Sequence, residues 1–391
     1  MTAVQKTKFS CFALEGLNSF ATVLYFNYLY FLMRDRFGFG NKLNLELAAF
    51  LGLVYAVAAW QAGKFAQHRG CYNALKLGFS LMAAAFAAGG ILKTAAGEIA
   101  VAAVATVGMC FIWPALEALV SEGESAARLP RAVGIYNVVW AVTNALAYFI
   151  GGSLIESFGY GAIFTLPLAL MLLQLGITIW LHQHATRTIS ATAHREMPPS
   201  EPHQPASPRA KAFLRMAWLS NPFAYIAIQT LIAVIPGIAA KFHLSTMMAG
   251  FVCTLWCFVR LAAFVALWQW TAWHYRFRWL SAAFAFLILS FAAILMSPNL
   301  TVLVVAQLFF GATIGLMYYS SLFYSMDAGD TRGEHGGIHE AAIGLGNCVG
   351  PAIGAAALQW LPEYQNSGAI AVSALLLCGF GGLLGIWRSG R

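Results

Sequence analysis

Two stretches of this chain, GIYNVVWAVTNALAYFIGG at residues 134–152 and GIHEAAIGLGNCVGPAIGA at residues 337–355, align without a gap at an offset of 203 residues. Gly134, Ile135, Asn144, Ile150 and Gly151 recur as Gly337, Ile338, Asn347, Ile353 and Gly354. Each stretch is apolar and dotted with small residues, the composition of helices that pack closely inside a membrane. Matched helices this far apart in one chain are the mark of a duplicated bundle.

The surrounding chain agrees. It is 60% hydrophobic and only 10% charged over 391 residues, against roughly 45–50% and about 25% in soluble domains, so it is read as an integral membrane protein. Apolar runs long enough to cross a hydrocarbon core of ~30 Å recur at approximately 9–33, 45–64, 74–94, 99–121, 133–154, 162–181, 217–241, 249–270, 279–296, 301–326, 337–361 and 369–387. These twelve spans predict an all-α membrane protein in two pseudo-symmetric six-helix bundles. Alternating segments of a β-barrel would be shorter and far weaker in hydropathy. The aligned stretches are then spans 5 and 11.

Between spans 6 and 7, HQHATRTISATAHREMPPSEPHQPASPRAK (residues 182–211) is too polar and Pro-rich to fold alone. The division predicted is a first bundle over 1–182, a cytoplasmic linker over 183–215 and a second bundle over 216–391. His182, His184, His194 and His203 are irregularly spaced and lack acidic companions, so a solvated linker is favoured over a metal-sensing loop. No metal site or cofactor is expected. Six of the seven cysteines fall inside spans and no disulfide framework follows; Cys253 and Cys257 read as packing residues.

Polar residues inside the spans fall into stripes at about 100° per residue. In span 11, Glu340, Gly344, Asn347 and Pro351 form one stripe, beside a second of Gly346, Gly350 and Gly354 that also holds His339. The glycine stripe permits close approach of another helix, and the Glu340 stripe suits a water-filled cavity, or a solvated helix end. Span 5 carries Asn137, Trp140, Asn144 and Tyr148, and span 1 carries Glu15, Asn18, Thr22 and Tyr25. Span 10 offers Tyr318, Tyr319, Ser320, Ser321 and Tyr324. Aromatic residues alone would read as packing, but amide, hydroxyl and carboxyl groups mixed on one face point to a binding surface. Glu117 interrupts span 4, and Arg260 lies near the middle of span 8. Arg260 is permanently charged and too deep to reach water easily, so it needs a carboxylate such as Glu340 or Asp327, carbonyls, water or an anionic ligand.

Taken together, twelve spans, a long central linker and matched halves make the chain resemble the major facilitator superfamily of secondary transporters. The loop after span 2, GKFAQHRGCYN from Gly63, is similar to that family's Gly-x-x-x-Asp-Arg-x-Gly-Arg-Lys loop at Gly63 and Gly70, with Gln67 and His68 replacing the acidic and basic pair. In the family that acidic residue is associated with closing the cytoplasmic side. Gly346, Gly350, Pro351 and Gly354 resemble the Gly-Pro motif of its drug antiporters, there in span 5 and here in span 11.

The resemblance implies a secondary transporter working by alternating access as a monomer in the lipid bilayer, and not an enzyme. The polar stripes suggest a small polar or anionic organic solute carried by symport with protons. Coupling candidates are Glu340, His339, Glu15 and Glu117. Substrate-binding candidates are Arg260, Asn18, Thr22, Tyr25, Asn137, Trp140, Asn144, Tyr148, Tyr319 and Asn347. The alternatives are a proton-driven multidrug exporter, or a non-transporting membrane sensor or assembly factor on the same fold. No G-x-x-x-x-G-K-[ST] loop is present to bind ATP.

With both termini in the cytoplasm, seventeen of the Lys and Arg residues fall in inward loops and tails, and only Arg34, Arg36, Lys42, Lys93 and Lys241 fall outward. The net charge of +8 is therefore an orientation signal for a multi-pass inner-membrane protein. No loop combines the charge with stacking aromatics, so nucleic acid is not an expected partner. A single cysteine at Ser389 in a cysteine-free background is expected to react with an impermeant thiol reagent only once the cytoplasmic side is opened. Labelling from outside intact cells would reverse the assigned orientation.

Overall fold

The computed structural model describes residues 3–124, 128–192, 207–328 and 334–390, and their side chains except those of 3–6, 185–192, 328 and 334–339. These residues form α1 (Ala3–Phe37), α2 (Asn41–Arg69), α3 (Cys71–Gly89), α4 (Ala95–Ser121), α5 (Leu129–Phe158), α6 (Ala162–Thr192), α7 (Pro208–Lys241), α8 (Thr246–Cys253), α9 (Leu255–Gln269), α10 (Phe277–Leu295), α11 (Leu300–Ala328), α12 (Glu334–Trp360) and α13 (Ser367–Ser389). Helices α8 and α9 are successive pieces of one span, Thr246–Gln269, so the helices make twelve membrane spans.

The unbroken helix expected at 249–270 is divided at Thr254, and two hydrogen bonds give the reason. Thr254 Oγ1 donates to the Gly250 carbonyl one turn back, at 2.7 Å. Gln307 Nε2 of α11 donates to the Val252 carbonyl at 2.9 Å, the carbonyl that an unbroken helix would offer to Trp256 N–H. Side chains inserted into the backbone ladder are a standard cause of a kink.

Helical structure enters the stretch 183–215, expected as a linker, from both sides. Helix α6 continues to Thr192, and α7 starts at Pro208, where Ser207 Oγ accepts from Ala210 N–H at 3.2 Å and proline fills the first helical position. His194, His203 and the rest of 193–206 lie outside the described residues.

Within the first bundle, α3 packs between α4 and α6, and α1 lies against α4, α5 and α6. In the second, α11 packs on α9 and α10, and α7 on α11, α12 and α13. Leu53, Val57, Leu289 and Leu377 are exposed, as suits helices whose outer faces meet lipid instead of water.

The bundles meet where α2 runs along α12 and where α5 runs along α8 and α9. The duplication exchanges these two contacts, because span 2 corresponds to span 8 and span 5 to span 11. Glycine makes both possible. Gly52 of α2 abuts the backbone of Asn347 and Cys348, Gly344 of α12 abuts Ala56, and Gly152 of α5 abuts the Thr246 carbonyl. Gly346 and Gly350, the stripe expected to admit another helix, approach Pro222 and Ile226 of α7 in the same bundle. On the side where α1 ends, Gly237 closes on Asn41, Gln229 Nε2 donates to Tyr30 Oη at 2.8 Å, and Glu156 accepts from Met247 N–H at 2.8 Å. These contacts bridge the bundles on that side of the molecule.

Gly52→Val therefore forces two helix backbones apart and is expected to lower stability by about 1–3 kcal/mol, the usual range for overpacking. Gly134→Ala is the control, since nothing lies within 4 Å of its missing Cβ. Thermal unfolding in detergent of both variants checks the difference.

Candidate functional site

Between the bundles lies a cavity of about 160 Å³, walled by residues of both. Each of its charged groups is held in a different way. Glu15 of α1 accepts from Ser19 Oγ, one turn along the same helix, at 2.6 Å, and from Tyr136 Oη of α5 at 2.7 Å. Glu340 of α12 accepts from Tyr55 Oη of α2, a hydrogen bond that joins the two bundles. Glu117 of α4, which follows Pro114 by three residues, also lines the cavity and lies within electrostatic reach of Glu340 and Glu15.

Arg260 of α9 lines the same cavity. Its guanidinium carbon sits 4.3 Å from the centre of the Trp140 ring, across the bundle interface, and 5.1 Å from the Trp256 ring, one turn back on its own helix. Trp140 is itself stacked on Tyr318, at 5.3 Å and 18°. Arg260 is 3% exposed, and its Nε and Nη2 have no hydrogen-bond partner. Among the described residues no carboxylate lies within ion-pair distance of it. The ion pairs considered from sequence are thus not formed: Glu340 is taken by Tyr55, and Asp327 by Tyr275. Indole faces hold the cation while leaving part of its planar edge unused.

Of the residues singled out from sequence, Glu15, Thr22, Glu117, Trp140, Asn144, Arg260, Glu340 and Asn347 line the cavity together. Asn144 and Asn347 are the asparagines that recur in the aligned stretches. Asn18, Tyr25, Asn137, Tyr148 and Tyr319 do not line it. Tyr25 lies in a ring cluster with Phe86 and Phe164, at 4.9 and 5.7 Å. Tyr148 is edge-on to Tyr28, Asn137 Nδ2 donates to its own helix at Val133, and Tyr319 lies beside Phe264 and Trp273. The side chain of His339 lies outside the described residues.

The difference on α1 is a choice between two sides of one stripe. With Glu15 at zero and about 100° per residue, Thr22 falls near −20°, Phe26 near +20° and Val23 near +80°, and all three line the cavity. Asn18 and Tyr25, near −60° and −80°, turn into the bundle. On α5 the wall is Tyr136, Trp140 and Asn144, so the i, i+4, i+8 row faces the cavity and Asn137 is left beside it. Tyr55, Trp113, Tyr136, Tyr225, Gln229 and Trp256 also line the cavity and were not singled out. Gln229, an amide inside a membrane span, carried a usable signal, as did Tyr136, lying one turn before Trp140. A lone aromatic in an apolar helix reads first as packing.

The groups that could ligate a metal do not gather: no cluster of three or more His, Cys, Asp or Glu is present among the described residues. The fold and site define a twelve-span helical membrane protein with a polar, charged cavity between two bundles. The Major Facilitator Superfamily profile matches residues 9–351, and the chain belongs to that family. Its structure is similar to that of the human organic anion transporter MFSD10 (TETRAN), with a TM-score of 0.70 and 14% identity, covering 98% of this chain and 100% of that one. It is also similar to a structure described for substrate recognition in proton dependent oligopeptide transporters, with a TM-score of 0.71 and 15% identity, covering 99% and 100%. A mutant form of a peptide transporter POT, in complex with alafosfalin, matches with a TM-score of 0.71 and 15% identity over 98% and 95%. No curated protein matches the chain in sequence.

The stacking of Arg260 on Trp140 is open to a double-mutant cycle. Arg260→Gln removes the cation, and Trp140→Leu removes the ring. Each is expected to destabilise the protein, with a coupling of about 1–2 kcal/mol in the double variant for a desolvated cation–π pair. Additive effects on thermal stability would show that the two side chains act independently.

Proposed function

We propose that this transporter carries a small polar or anionic organic solute by alternating access, driven by protons, as a monomer in the inner membrane with both termini cytoplasmic. The single observation behind the solute class is the unpartnered guanidinium edge of Arg260 on the wall of a cavity shared by both bundles. A buried cation with unused donors is costly unless an anion or water receives it.

The proton reading rests on Glu15, Glu117 and Glu340, three carboxyl groups on that same wall. A carboxyl group can take a proton on one side of the membrane and release it on the other. Glu340 is the foremost candidate because its partner, Tyr55, belongs to the opposite bundle, so its protonation state acts on a contact that must change when the bundles move. His339 beside it is a secondary candidate. The order of events proposed is protonation of Glu340, weakening of the Tyr55 contact, and reorientation of the bundles around the loaded cavity.

A multidrug exporter is the second reading, favoured by the aromatic wall of Trp113, Trp140, Trp256 and Tyr318. Its motif argument is weaker here, since Gly350 serves the approach of α7 within one bundle. A sensor on the same fold would bind solute without moving it.

Purified protein in liposomes, screened for solute uptake with and without an imposed proton gradient, tests the proposal. Glu340→Gln is expected to abolish accumulation against a gradient while retaining solute binding and exchange of solute between the two sides. A stable Glu340→Gln protein that still concentrates its solute with unchanged proton stoichiometry would rule out the coupling role. Binding without flux in the unaltered protein would favour the sensor.

A further inference from the structure

The Glu117 carboxyl and the Arg260 guanidinium line one cavity, and no ion pair joins them among the described residues. Glu15 is held by Ser19 and Tyr136, and Glu340 by Tyr55. Glu117 accepts no hydrogen bond from any described residue, so it is the free carboxyl of the three. Arg260 in turn has unused Nε and Nη2 donors and is held only through ring faces. Tyr225 and Tyr318 line the same cavity and lie within electrostatic reach of Arg260, Glu117 and Glu340 alike.

Opposite charges in a low-dielectric space attract strongly. Here the two groups do not pair, and a charge on either is uncompensated unless something bridges them. A simple anion would answer Arg260 and leave Glu117 facing a second negative charge. A simple cation would do the reverse. We infer that the cavity accepts a small organic zwitterion, its carboxylate or similar oxyanion on Arg260 and its ammonium on Glu117, with an apolar or aromatic body along Trp140, Tyr225 and Tyr318. The inference rests on the transporter reading above and narrows its solute class from polar or anionic to dipolar.

The test uses the full-length protein and four probe compounds: phenylalanine, alanyl-phenylalanine, N-acetylphenylalanine and phenylalaninamide. The first two are zwitterions of different length, the third is an anion only and the fourth a cation only. Binding is read by thermal shift and by competition between probes, with no proton gradient present. At least one zwitterion is expected to bind about tenfold or more tightly than either blocked form, the difference made by one charge-assisted hydrogen-bonding end. Arg260→Gln should remove the preference over phenylalaninamide, and Glu117→Gln the preference over N-acetylphenylalanine.

Equal or tighter binding of N-acetylphenylalanine would overturn the zwitterion inference while leaving an anion transporter intact. Failure of both zwitterions to bind would also overturn it. Because the comparison between probes is made on the unaltered protein, it stands even if a variant does not fold. Proton coupling is judged separately: a zwitterion that binds and exchanges but ignores an imposed proton gradient would remove the coupling proposal and leave this one standing.

Discussion

Arg260 sets the constraint around which the centre of this molecule is built. A guanidinium is a cation, and at the middle of a membrane helix it must be sheltered or solvated. The structure meets that demand with two indole rings, one from its own helix and one from the opposite bundle. Ring faces lower the energy of a cation without occupying its hydrogen-bond donors. The charge is thereby held in place and remains available, which an ion pair with Glu340 or Asp327 would not allow.

Around this centre, two kinds of contact join the bundles. Glycines let the bundles approach closely: Gly52 and Gly152 each abut backbone of the other bundle, and Gly237 abuts the side chain of Asn41. Such contacts are short and broad, and they tolerate no added methyl group. At the cavity the contacts are made by side chains: Tyr55 to Glu340, and Trp140 to Tyr318 and Phe264. Side chains can exchange partners by rotating, whereas glycine contacts part only when whole helices move. The cavity wall is therefore the place where a proton or a solute can act on the fit between bundles with little mechanical work.

Much of the site was legible because charged and amide groups are scarce in hydrocarbon-spanning helices, and each one demands an explanation. Glu15, Glu117, Arg260 and Glu340 stood out for that reason, and all four line the cavity. Asn18 and Asn137 stood out equally but turn into the bundle interior. A helical wheel defines a face only to within about 60–80°, and that margin separates the cavity side of α1 from the α1 bundle side. The aromatic half of the wall was hidden, since Tyr55, Tyr225 and Trp256 look the same in sequence whether they meet lipid, core or ligand.

The sequence by itself determined the class: hydrocarbon admits only helices or closed barrels, the apolar runs are too long and too apolar for barrel strands, and the internal repeat pointed to two related bundles. It also singled out the charges that had to be sheltered. Tertiary structure alone decided who shelters them, pairing Glu340 with Tyr55 from 285 residues away, placing Arg260 on Trp140, and leaving Glu117 without a hydrogen-bond partner among the described residues. Those pairings depend on which helix faces meet across the interface, a matter of glycine-limited backbone approach and helix rotation that no single helix encodes.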